Sequence, residues 1–210
     1  MSKKKKSKAF WTKQFYLWHW VSSAICLVSM ILFAFTGITL NHAGSIKAKP
    51  QTTEKQESLP PNLQEILAFQ EGDELDQKKP LPIEVRTWLH DVFGVDLGGR
   101  SYEWSEFDIY VDLPRPGGDA WMSLDRETGD VIYEVTNRGF ISYINDLHKG
   151  RNTGSEWVLF MDIFSVACII FCLTGLALLW VHARRRPSTW PIVAAGFIIP
   201  FLIIVIFVHP

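Results

Sequence analysis

Six histidines occur in the chain, and four of them stand at the ends of long apolar runs. His19 and His42 bracket the first run; His148 and His182 flank the second. Neutral imidazole is a strong nitrogen ligand for iron, and facing helices of a bundle commonly hold b-type haem through it. Ionisable groups near membrane depth are costly and therefore tend to be functional. The competing reading is that each is a snorkelling or belt residue, as a lone interfacial histidine ordinarily is. About 23 residues separate His19 from His42, roughly 35 Å along a helix. Those two cannot share one haem. His42 and His148 are the expected first pair and His19 and His182 the second, giving two stations of a small membrane cytochrome.

A haem site also needs close approach to backbone, partners for the second ring nitrogen, and cations for propionates. Gly37 and Gly175 are the candidates for close approach, and Asn41, Asp146 and Asp162 for second-nitrogen acceptors. Arg151 and Lys149 would serve the propionates of the first site, Arg184 to Arg186 those of the second. His90 lies in the polar middle of the chain and is expected at the surface. His209 is the penultimate residue and is expected to be a frayed end. Cys26, Cys168 and Cys172 all fall inside apolar runs, so no disulfide framework is expected. Cys168 and Cys172 share a helix face, where packing is the ordinary role.

Three apolar runs must position these groups: about 15–40, 158–181 and 192–208. A spanning helix needs roughly 20 apolar residues, which the first two exceed and the third approaches. Pro200 in the third is tolerated in a membrane helix. The first run is far longer than a signal-peptide core of about 7–15 residues, so an uncleaved anchor is expected. Lys3, Lys4, Lys5, Lys6 and Lys8 precede it, and Arg184 to Arg186 follow the second run. The positive-inside rule places both clusters on the cytoplasmic side of the membrane. Trp11, Trp18, Trp20, Trp180 and Trp190 then collect at the inner interface as belt residues. Beside a membrane helix the lysine run reads as topology and lipid contact, so no nucleic-acid partner is expected.

The expected organisation is a basic cytoplasmic tail (1–14), helix 1 (15–42), a periplasmic linker and α+β domain (43–155), helix 2 (156–183), a basic cytoplasmic loop (184–190) and helix 3 (191–210), ending in the periplasm. Within the domain, 43–61 reads as a polar linker and 62–70 as a short helix with Leu63, Ile66 and Leu67 on one side. Residues 71–79 read as a charged loop and 82–93 as an amphipathic helix. Strands are expected at 102–104, at 107–113 with Phe107, Ile109 and Val111 on one face, at 120–124 and at 131–135, with hairpin turns at 114–118 and 125–130. So small a core is expected to lean on the membrane or on a second copy. Helices 1 and 2 also echo each other: Thr36-Gly37 and Thr174-Gly175 each precede a histidine by a few residues.

The run Thr36-Gly37-Ile38-Thr39-Leu40-Asn41-His42 resembles the first helix end of PepSY-associated transmembrane proteins. Asp146-Leu147-His148-Lys149-Gly150-Arg151, then Trp157, Asp162 and Leu173 to Leu176, resembles the segment entering their next helix. His19-Trp20 matches their histidine–aromatic start, and 123–131 is similar to a PepSY domain. The resemblance spans most of the chain except the linker and third helix. Size and layout are similar to small bacterial iron-utilisation members of the VciB-like kind.

That resemblance implies a membrane ferric reductase with haem b, making ferrous iron for uptake. Larger relatives carry more helices per chain, which implies a homodimer here, with a haem that two copies could share. No G-x-G-x-x-G follows a predicted strand, so reduced flavin, a flavoprotein or a quinol is the expected electron donor. Ferric iron or a ferric chelate is the expected acceptor, with Asp146 and Glu156 as acidic residues that would attract it. Two rival expectations stand beside this one. The chain is either a non-enzymatic anchored accessory of iron transport or a cytochrome b subunit that passes electrons to another protein.

Overall fold

A computed structural model describes residues 3–69 and 79–208. The order of elements is α1 (Lys3–Asn41), β1 (Gln51–Ser58), α2 (Pro61–Leu67), α3 (Ile83–Phe93), β2 (Tyr102–Trp104), β3 (Asp108–Asp112), β4 (Gly118–Asp125), β5 (Asp130–Asn137), α4 (Phe140–Lys149), α5 (Ser155–His182) and α6 (Thr189–Phe207), with a 3-10 turn at Ala183–Arg185. The chain divides into a helical unit, made of residues up to Leu32 and from Leu159, and a mixed unit, Phe33–Val158.

Ser7–Asn41, Ser155–Arg185 and Thr189–Phe207 are each long and apolar enough to cross a membrane. α1 and α5 are antiparallel neighbours, since Tyr16 meets His182 while His19 meets Thr174. α1 begins at Lys3, so the expected tail is mostly helix. Lysine and alanine have good helix propensity and simply extend the apolar span. α6 continues through Pro200 and leaves its apolar surface exposed.

The mixed unit carries an antiparallel five-stranded sheet in the order β1-β5-β4-β3-β2. Period-2 alternation puts Ile109 and Val111 of β3, Ala120, Met122 and Leu124 of β4 and Val131 of β5 on one buried face. Leu63 and Leu67 of α2 and Val85, Leu89 and Phe93 of α3 belong to the same core. α3 ends at Gly94, whose φ of 70° is the left-handed cap that glycine adopts without strain. At the β4–β5 turn the Asp125 carboxylate accepts the amides of Thr128 (2.7 Å) and Glu127 (2.9 Å). Those bonds, led by the one from Thr128, hold its carboxyl below the usual aspartate range. Leu89 is fully buried, so Leu89→Ala is expected to destabilise this unit by about 2–5 kcal/mol. The urea midpoint of its tryptophan-fluorescence transition, measured on the full chain, checks that.

Four details differ from the sequence expectations. The 43–61 segment contains β1, paired along its length with β5 from Gln51↔Asn137 to Ser58↔Asp130. Its residues, QTTEKQES, are all exposed, so it carries no alternation to read; charged side chains are usual on an edge strand. α4 was not expected at all. It runs from Gly139 to a left-handed Gly150 (φ 64°), and Ile141, Ile144 and Leu147 recur at helical spacing. Ile66 is 50% exposed and Phe107 75% exposed, so neither joins the faces assigned to them. The loop expected at 71–79 lies, apart from Lys79, outside the described residues, as does His209.

Candidate functional site

Two helix faces of identical make-up each hold a histidine from another helix. On α1, Phe33, Thr36 and Gly37 fall at i, i+3 and i+4, one face of a helix. The His148 ring of α4 lies against that face. Its Nδ1 is 2.6 Å from Thr36 Oγ1, its centroid is 5.0 Å from that of Phe33, and its Cε1 would stand 3.7 Å from a Cβ on Gly37. On α5, Phe171, Thr174 and Gly175 have the same spacing. There the His19 ring stacks on Phe171 at 4.5 Å, its Nδ1 is 3.1 Å from Thr174 Oγ1, and its Cε1 would stand 3.2 Å from a Cβ on Gly175. A side chain at Gly175 would crowd the His19 imidazole, so a bare backbone is part of that socket, whereas a Cβ at Gly37 would meet His148 at ordinary contact distance.

The sockets also decide which nitrogen is available. Thr36 donates its hydroxyl hydrogen to Phe33 O (3.2 Å), and Thr174 donates to Ile170 O (2.7 Å). At His148 the Thr36 hydroxyl can serve the ring as donor or acceptor. His19 Nδ1 also stands 3.2 Å from Phe171 O, which can only accept, so there Nδ1 carries the hydrogen and Nε2 the lone pair. The other two rings reach the same state through carbonyls. His42 Nδ1 donates to Ile38 O (3.0 Å) and His182 Nδ1 to Leu178 O (2.8 Å). A metal-binding histidine typically gives its other N–H to such an acceptor, which fixes tautomer and ring orientation. At His182 the lone pair on Nε2 accepts from the Tyr16 hydroxyl at 3.1 Å.

His19 and His182 line one cavity of about 800 Å³ in the helical unit. Leu176, Leu178 and Leu179 form apolar wall, and Arg185 and Arg186 stand on its border. That size is within the ~300–1,000 Å³ typical of cofactor sites. The residue types are those haem takes: two imidazoles, an apolar slot, and two guanidiniums for carboxylates. A ligand at His182 must displace the Tyr16 hydroxyl, a neutral hydrogen bond worth about 0.5–1.5 kcal/mol.

The pairing of His42 with His148 is drawn less tightly. His148 is half-buried in its socket, whereas His42 is exposed at the end of α1. No hydrogen bond or ring contact joins them among the described residues. Asp146 is buried and accepts the Gly117 amide at 2.8 Å, so it braces α4 against the sheet rather than facing outward. Asn145 accepts from Thr39 at 2.6 Å, a second clamp between α4 and α1. Arg151, Lys149, Glu156, Asp162 and Asn41 are exposed. His90 is exposed beside Asp91. Gly37 and Gly175 each take an imidazole against the backbone where a porphyrin was expected. Phe33, Phe171, Thr36, Thr174 and Tyr16 were not singled out as site residues, although Phe-x-x-Thr-Gly occurs in both helices and was there to be read.

Residues 10–209 match the model of the family described as PepSY_TM-like. No curated protein and no solved structure matches the chain.

Proposed function

The chain belongs to the PepSY_TM-like family, and on that footing we propose that it binds haem b and carries electrons across the bacterial inner membrane to ferric iron. The observation that carries the reading is the cavity shared by His19 and His182, with each Nδ1 tied to an oxygen and two arginines on the border. Bound haem would supply a one-electron relay at those imidazoles. The residues do the rest. His19 Nε2 and His182 Nε2 offer lone pairs, the leucines exclude water, and Arg185 and Arg186 pair with carboxylates.

His148, seated in the Thr36 socket, is the ligand of a second station, with His42 as its partner. Lys8 and Arg184 to Arg186 belong on the cytoplasmic side and the mixed unit on the periplasmic side. The electron comes from reduced flavin, a flavoprotein or quinol, and one electron turns ferric iron into ferrous iron for uptake. A homodimer covers the apolar surface that α6 leaves exposed in a single chain.

The test is spectroscopic. Purified full-length protein, reduced and then mixed with ferric citrate under nitrogen, is expected to return to its oxidised spectrum while ferrous iron appears in equal amount. Pigmented protein that stays reduced would point to a protein acceptor instead, and colourless protein to an anchored accessory.

A further inference from the structure

The mixed unit contains a cavity that the haem reading does not use. Its volume is about 710 Å³, and it opens between the sheet and α4. Leu113 and Ala120 form a buried apolar floor. Arg100 and Arg115 stand exposed on its rim with Tyr133, Phe140 and Tyr143. Phe140 is 72% exposed, which folding does not ask of a phenylalanine in a watery crevice. Neither arginine forms a salt bridge among the described residues. Asp96 is the carboxylate in the lining, and one of its oxygens accepts the Gly98 amide at 2.8 Å. Two guanidiniums against one carboxylate leave the rim positive. A smaller cavity of about 360 Å³ shares Gly139 and Phe140 and adds Lys47 and Lys49, so positive charge continues on both sides of that ring.

The walls are fixed. Gly117, at φ 76°, lies so close to α4 that a Cβ there would stand 2.7 Å from Tyr143 Cα. Its amide donates to Asp146 (2.8 Å) and its carbonyl accepts from Arg138 N (2.8 Å). Arg138 itself is paired with Asp119 and is not a free cation.

We propose that this cavity binds a small multivalent carboxylate or phenolate anion: the ligand shell of a ferric chelate. Guanidinium recognises such oxygens with paired, planar hydrogen bonds, and aromatic rings stack on planar ligands and on the guanidiniums themselves. The volume suits a small chelate and is too small for a folded partner. α4 supplies both the cavity wall and the electron exit: Tyr143 precedes His148 by about five residues, roughly 7.5 Å along the helix. The identification of the iron rests on the electron-transfer reading; the preference for anions rests on the cavity alone.

The experiment uses the full chain in detergent and redox-silent gallium(III) probes. Gallium citrate is expected to bind, and neutral gallium tris-maltolate is not. Arg100→Gln with Arg115→Gln is expected to weaken gallium citrate about tenfold or more, since each lost charge-assisted bond is worth roughly that factor. In ferric reduction the same double variant raises KM for ferric citrate with kcat nearly unchanged, and leaves ferric tris-maltolate unaffected. Equal binding of both probes, or a double variant that binds gallium citrate like the parent, overturns the inference. Colourless protein that still binds gallium citrate through these arginines upholds the site and removes the electron-transfer reading. Pigmented protein that binds no gallium citrate does the reverse.

Discussion

His19→Ala protein, made with haem supplied, is expected to lose the pigment held between α1 and α5. His19 is the imidazole that the Thr174 socket holds most completely: stacked on Phe171, bonded at Nδ1, and pressed against Gly175. Removing it deletes a ligand and leaves the cavity one-sided. Two companion variants separate ligation from packing. Thr174→Val keeps the ring and removes one of its two acceptors, leaving Phe171 O at 3.2 Å, so haem affinity is expected to fall about tenfold, the lower end of the cost of losing such a partner. Tyr16→Phe removes the hydroxyl that occupies His182 Nε2, so it is expected to keep or strengthen binding. Haem titration of the apoprotein measures all three. A pigmented His19→Ala protein, or a colourless Tyr16→Phe protein, would break the assignment of Nε2 as the ligating nitrogen.

His148→Ala is expected to leave the His19 and His182 spectrum in place and to slow ferric citrate reduction at least tenfold. His148 sits on α4, the helix that also borders the arginine-rimmed cavity. His42→Ala is expected to behave in the same way, and Thr36→Val to reproduce a milder form, because Thr36 orients the ring without ligating. His90→Ala, at an exposed site on α3, is expected to change neither spectrum nor rate. Stopped-flow reoxidation of reduced protein gives the rates. Full speed in His148→Ala would take the second station out of the path.

The three apolar helices were legible because hydrophobicity over a long window leaves little choice. The central strands were legible because Ile109, Val111, Met122, Leu124 and Val131 alternate inward. β1 was not, because an edge strand with every side chain in water has no pattern to display. α4 was missed for another reason. Its stretch was read for His148 and its neighbours alone, while Ile141, Ile144, Leu147 and the bounding Gly139 and Gly150 signalled a helix all along.

The candidate ligands were found from type and depth. Their sockets were not, since a phenylalanine and a threonine in an apolar run look like ordinary membrane residues until a ring from another helix is seen against them. The Thr-Gly echo was visible, but sequence spacing along one helix says nothing about which helix faces it, and here an imidazole of another helix lies near each glycine.

The most direct test is haem content of the purified full-length chain, measured as pyridine haemochrome per polypeptide together with the spectrum of the native protein. At least one haem b per chain with a low-spin bis-imidazole spectrum is expected. Protein that stays free of haem after expression with haem in excess would contradict the account at its root.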